Sequence, residues 1–171
     1  MSSSKLRPPT KLNVWSCLAV VFPLGLAPKA PGTFGSLAGI PVGIFFYSFG
    51  QQLSQGWGWP DGSIQTLLLI GLGLFSWLVI ERTEKFWNTH DDGRIVIDEV
   101  LGQAIPLSYI AADWKLVVSA FFLFRFFDIV KPGPIGWADR KLPGAWGTLL
   151  DDVIAGIFTW IVLVVIWRFI P

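Results

Sequence analysis

The sequence predicts an all-α fold: a polytopic membrane helical bundle of about five spans, with a re-entrant or interfacial helix at its N-terminus. Three observations predict it. Hydrophobic residues make up 53% of the 171 and charged residues only 15%, against about 25% charge in a soluble globular domain. Apolar segments recur at 35–50, 64–80, 100–112, 116–130 and 153–170, approaching the ~20 residues of a membrane span. The cations sort to one side of the topology those segments imply. The length is that of a single domain, 1–171.

Residues 1–11 read as a polar cytoplasmic N-terminus carrying Lys5, Arg7 and Lys11. An apolar stretch follows, with a loose cleavage-like site at Ala27–Ala30, but Pro31 would block cleavage there. Pro23 and Gly25 interrupt residues 12–27, which are short for a span, so they read as a re-entrant or interfacial helix. The segment 64–80 contains no charge, and 153–170 contains only Arg168. Asp113-Trp114-Lys115 reads as a tight helical hairpin turn between the two shorter segments. With a cytoplasmic N-terminus, Lys5, Arg7, Lys11, Lys29, Arg82, Lys85, Arg94, Lys131, Arg140 and Lys141 lie inside. Lys115 and Arg168 lie outside, a strong positive-inside bias. Trp57, Trp59 and Trp114 fall at the outer boundary and Trp87, Trp137 and Trp146 at the inner one, as interfacial belts. Gly35, Gly39 and Gly43 form a small-residue ridge that lets another helix approach closely, within the chain rather than between chains.

Composition excludes several functions. A net charge of +1 gives no excess of cations for nucleic acid. One cysteine, Cys17, excludes an internal disulfide framework and a cysteine-based zinc site. One histidine, His90, excludes a multi-histidine metal site and two-histidine phosphatases. Walker loops, the Asp-x-Asp-x-Thr pattern and the CDP-alcohol phosphotransferase pattern are absent.

Eight of the twelve acids fall on the cytoplasmic side between positions 91 and 152: Asp91, Asp92, Asp98, Glu99, Asp128, Asp139, Asp151 and Asp152. Helix capping is one explanation, because Asp98-Glu99 and Asp151-Asp152 precede apolar helices. Two doublets exceed what capping needs. The other explanation is a hard-cation site, with Mg²⁺ or Mn²⁺ favoured by oxygen ligands. Arg125, Asp128 and Lys131 share a helical spacing, either as an ion-pair ladder or as a clamp for an anion. An arginine beside Phe121, Phe122 and Phe124 is costly near hydrocarbon and points to function. Residues 30–36 form a small-residue loop before a helix, where Gly32 and Thr33 could meet a phosphate.

Four blocks in order resemble the phosphatidylglycerophosphatase A family of bacteria. They are Pro31-Gly32-Thr33-Phe34-Gly35-Ser36-Leu37; His90-Asp91 with Ile95 to Gly102; Phe124 to Ile135; and Gly147 to Gly156. The resemblance implies a Mg²⁺-dependent lipid phosphatase of the bacterial inner membrane, its active site facing the cytoplasm. It would convert phosphatidylglycerophosphate to phosphatidylglycerol and phosphate. The matching residues imply metal ligation by Asp91, Asp98, Glu99, Asp128, Asp151 and Asp152, catalysis by Asp98, Asp128, Asp151, Arg125 and Lys131, and substrate contacts from Arg125, Lys131, Gly32 and Thr33. Asp92 and Arg94 fall at positions expected to vary. The alternatives are a non-catalytic lipid-binding homologue and a small ion-coupled transporter.

Overall fold

A computed structural model describes residues 11–111 and 113–169, without the side chains beyond residue 166. Lys5, Arg7, the Arg168 side chain and the last residue of the expected span 153–170 lie outside the described residues. Among the described residues seven α-helices follow one another: α1 (Val14–Ala19), α2 (Pro31–Trp57), α3 (Ser63–Trp87), α4 (Ile97–Leu107), α5 (Trp114–Val130), α6 (Pro134–Lys141) and α7 (Ala145–Phe169), with a 3₁₀ turn at Leu24–Leu26. No strand occurs among the described residues.

Local chemistry sets the boundaries. Asn13 and Ser16 cap α1 reciprocally, each side chain accepting from the other's backbone N–H at 2.8 and 2.7 Å. Pro31 opens α2, where a missing N–H costs nothing, and Gly58 closes it at φ +69°. Asp113 caps α5 by accepting from the Lys115 N–H at 2.8 Å, which explains the break read at Asp113-Trp114-Lys115. Lys131, left-handed at φ +47°, ends α5.

Among the described residues, three helices are long and apolar enough to cross a membrane: α2, α3 and α7 over Ala145–Ile166. The expected five do not all reach that length. At 1.5 Å per residue α4 rises ~16 Å and α5 ~25 Å, short of the ~30 Å hydrocarbon core. These two helices form an antiparallel hairpin against the rest of the bundle, with Leu107 clustered against Leu116 and Ala120. Helix α4 is its buried centre: Ile97, Asp98 and Val100 to Leu107 are all buried.

The glycine ridge of α2 docks along α4 within the chain. A Cβ on Gly35 would meet Val96 at 2.8 Å, one on Gly39 would meet Val100 O at 2.6 Å and Gln103 at 2.8 Å, and one on Gly43 would meet Leu107 at 2.7 Å. The rising numbers on both helices mean that α2 and α4 run parallel. Helix α7 joins them in the same direction, with Gly156 seated against the Gly102 carbonyl. Their N-termini therefore share one face, and α3 and α5 return to it.

Helix α1 packs there against the end of α3, with Ala19 and Val20 buried among Val79, Ile80, Trp87 and Ile97. The Ala19 carbonyl accepts from the Val96 N–H at 2.9 Å. Trp87 departs from its expected belt role. It is 7% exposed, and its indole N–H donates to the Lys11 carbonyl at 2.9 Å. Trp57, Trp59, Trp114, Trp137 and Trp146 are exposed as a belt requires.

Candidate active site

The common face of α2, α4 and α7 gathers the acids. Asp98 and Glu99 occupy the first turn of α4. Asp151 and Asp152 lie in the second turn of α7, which begins at Ala145, so they do not cap it as the sequence suggested. Asp98, Glu99 and Asp152 each offer a carboxylate oxygen, and the three oxygens lie within 4.8 Å of one another. Asp98 and Asp152 are buried, 5% and 4% exposed.

Several of these oxygens have no partner. Glu99 Oε2, Asp151 Oδ1 and Asp152 Oδ1 are buried without a hydrogen bond. An unpaired buried carboxylate is costly, and several side by side repel one another. Burial, then the adjacent charge of Glu99, pushes the Asp98 carboxyl well above the usual carboxylate range. Burial also raises Glu99; the nearby Asp128 adds to this, while a hydrogen bond with Asp98 and the charge of Arg125 oppose it. A hard cation would satisfy the orphaned oxygens and remove the repulsion, so the donor set fits a metal ion.

Two cations flank the cluster. Arg125 Nη1 donates to Asp128 Oδ2 at 2.6 Å and to the Ser36 hydroxyl at 3.4 Å, tying α5 to the first turns of α2. Lys131 does not continue that ladder, because its left-handed backbone turns the side chain away. It donates instead to Asp151 Oδ2 at 2.6 Å and to Asp139 on α6. Burial alone would lower the Lys131 pKa, but those two carboxylates outweigh it and hold the ammonium charged.

Gly32 explains why a side chain is missing at the start of α2. A Cβ there would collide with Glu99 Oε1 and come within 3.1 Å of Arg125 Nη1. No side chain caps α2, and half-buried Thr33 sits in its first turn, its backbone N–H donating to the Ala30 carbonyl at 3.0 Å.

The structure thus brings Asp98, Glu99, Asp128, Asp151, Asp152, Arg125, Lys131, Gly32 and Thr33 to one face. Asp91 stands apart. It is exposed, at φ +51°, and its backbone N–H donates to Glu84 at 3.0 Å. Asp92 and Arg94 pair with each other at 2.7 Å, with the guanidinium over the Trp87 ring, and brace the connector into α4. Sequence reasoning named Asp139 only among the cytoplasmic acids and missed Glu84. Asp139 shares Lys131. Buried Glu84, in the last turn of α3, accepts from the Thr148 hydroxyl of α7 at 3.1 Å. Glu84 lies four residues beyond the uncharged span 64–80, outside the segment the sequence reading weighed. A separate lateral cavity of about 700 Å³ lies between α3, α4 and α7, with Leu74, Trp77, Leu101 and Ile157 in its wall and none of the acids.

Comparison with known proteins agrees with this arrangement. The family described as phosphatidylglycerophosphatase A matches residues 17–167. A phosphatidylglycerophosphatase A of Escherichia coli strain K12 is 39% identical over 148 residues, covering 86% of this chain and 80% of that protein. One of Haemophilus influenzae is 40% identical over 154 residues, covering 89% of this chain and 88% of that protein. No solved structure matches. The match runs along nearly the whole length, and the chain belongs to the phosphatidylglycerophosphatase A family.

Proposed function

We propose that the chain is a Mg²⁺-dependent lipid phosphatase that hydrolyses phosphatidylglycerophosphate to phosphatidylglycerol and phosphate. The observation that carries this reading is the convergence of three carboxylates beside Arg125 at the start of α2. Acids outnumber cations there: Asp98, Glu99, Asp128, Asp139, Asp151 and Asp152 face Arg125 and Lys131. A phosphomonoester dianion would be repelled by such a site unless a divalent cation balanced it. The ligand set is Asp98, Glu99 and Asp152, with Asp128 and Asp151 beside them and Asp91 outside. A bound Mg²⁺ supplies charge neutralisation and Lewis-acid polarisation of a phosphoryl oxygen.

The chain's own groups do the rest. Arg125 keeps guanidinium N–H groups beyond its bonds to Asp128 and Ser36, and these bind the equatorial phosphoryl oxygens. The N-terminal end of α2, through the Gly32 N–H and the Thr33 hydroxyl, receives the same anion. Lys131 orients Asp151 and adds positive charge as the phosphoryl group leaves. Water adds to phosphorus, the phosphomonoester P–O bond breaks, and the glycerol oxygen takes a proton as it departs.

The membrane placement follows from the same face. Helices α2, α3 and α7 span, the α4–α5 hairpin enters from the acidic face, and α1 lies along that interface. Lys11, Arg82, Arg94, Lys131, Arg140 and Lys141 accompany the acids, while Lys115 stands at the far end of α5, a charge bias that supports a site at the cytoplasmic surface of the bacterial inner membrane.

The test is phosphate release by purified full-length protein from phosphatidylglycerophosphate in mixed micelles, with and without EDTA. Mg²⁺-restored release that is lost in Asp98→Asn and Asp152→Asn is expected. Lipid binding without turnover would favour the non-catalytic reading instead, and an EDTA-insensitive rate would remove the metal.

A further inference from the structure

We propose that Glu84 is a positioning residue that sets the two acid-bearing helix starts against each other, and with them the affinity of the metal site; the consequence for metal rests on the reading above. Glu84 lies in the last turn of α3 and is 8% exposed. Its Oε1 meets three partners from two other segments. Nδ1 of His90 lies at 3.1 Å, the Asp91 backbone N–H donates at 3.0 Å, and the Thr148 hydroxyl donates at 3.1 Å.

Each partner leads directly to a ligand. His90 and Asp91 belong to the connector that enters α4 seven residues before Asp98. Thr148 lies one helical turn before Asp152 on α7. One carboxylate therefore ties together the segments that carry the two halves of the cluster, although Asp98 and Asp152 are 54 positions apart in sequence.

The connector needs such a tie. Asn88 and Asp91 both adopt left-handed backbone, at φ +49° and +51°, a region that favours glycine and that Asn and Asp enter as single residues. The Asp91 N–H bond to Glu84 holds that turn in place. This gives the His90-Asp91 pair a role as the anchor of the connector while the Asp91 side chain stays exposed. Two segments anchored to one atom move together, so loss of the anchor lets the carboxylates of α4 and α7 drift apart.

The experiment compares full-length wild type, Glu84→Ala and Glu84→Gln, the last keeping an acceptor oxygen. Mn²⁺ binding is read by electron paramagnetic resonance, and amide hydrogen exchange is read over 88–99 and 145–152 without metal. In Glu84→Ala, Mn²⁺ affinity should fall at least tenfold, the usual cost of losing a group that orients ligands. Both segments should exchange faster. Glu84→Gln should stay within about threefold of wild type. Faster exchange confined to one segment, or unchanged Mn²⁺ affinity, overturns the proposal. If Glu84→Ala does not fold, Thr148→Val removes only the α7 arm and should weaken Mn²⁺ binding with faster exchange over 145–152; wild-type values there overturn it equally. If wild type itself binds no Mn²⁺, the metal reading fails, and exchange in both segments alone decides whether Glu84 couples them.

Discussion

Replacing Gly32 with alanine is the sharpest test of the site, because it separates activity from stability. The added Cβ would meet Arg125 Nη1 at 3.1 Å and Glu99 Cδ at 3.3 Å, and it would overlap Glu99 Oε1 outright. Ordinary contact begins at 3.4 Å, so the carboxylate has to retreat by about 1 Å, a displacement that can cost ~10²-fold in rate when reacting groups are misplaced. The fold gives no reason to suffer. The obstacle is the end of a flexible side chain, and alanine is favoured over glycine in a helix by ~1 kcal/mol. Gly32→Ala should therefore melt at or above the wild-type temperature while phosphate release from phosphatidylglycerophosphate falls about a hundredfold. Circular dichroism melting and a micellar phosphate-release assay read the two quantities separately. Wild-type turnover in a well-folded Gly32→Ala would refute the placement of Glu99 and Arg125 at the reacting phosphate.

Three further outcomes are expected. Lys131→Met leaves Asp139 and Asp151 facing each other without their shared cation; it should lose roughly 2–3 kcal/mol of stability in denaturant titration and most of the phosphate release. Asp98 takes its proton more tightly in the metal-free folded chain than in the unfolded one, because burial and then Glu99 raise it. Its contribution to stability is thus full below the unfolded value of about 4 and is lost as pH rises through the folded one. The metal-free protein should melt lower at about pH 8 than at about pH 5, and added Mg²⁺ should recover more at the higher pH, where no proton competes. A melting temperature independent of pH and Mg²⁺ would contradict this. Gly156→Ala drives a methyl into the Gly102 carbonyl and should cost ~1–3 kcal/mol, whereas Gly71→Ala, with nothing within 4 Å, should gain up to ~1 kcal/mol.

Much of this was legible in the sequence where one rule dominated. Low charge and long apolar runs identified the helical membrane class. The four-residue spacing of Gly35, Gly39 and Gly43 announced the close helix contact that α4 fills. The acidic doublets marked the face of the site. The departures have physical causes. The span boundary drawn at residue 80 followed hydropathy, but α3 runs on to Trp87, since helical hydrogen bonds continue through a charged interface. That boundary hid Glu84. Asp151-Asp152 resembled a cap because apolar residues follow, yet the helix starts a turn and a half earlier at Ala145. The spacing of Arg125, Asp128 and Lys131 assumed continuous helix, and the left-handed residue at Lys131 ended it. Trp87 had the residue type of an interfacial anchor, but the packing of α1 over it is a tertiary contact that no local pattern encodes.

The glycine seams have a mechanical consequence. Between α2 and α4, and between α4 and α7, backbone rests directly on backbone or Cβ, so no long side chain is available to change rotamer and let one helix slide past another. The separation of the carboxylate-bearing backbones is then fixed by covalent geometry rather than by adjustable packing. A gap of that kind acts as a caliper for ionic radius. With the metal reading above, it favours the small, strictly octahedral Mg²⁺ over Ca²⁺, whose longer bonds and larger shell need ligands free to move outward.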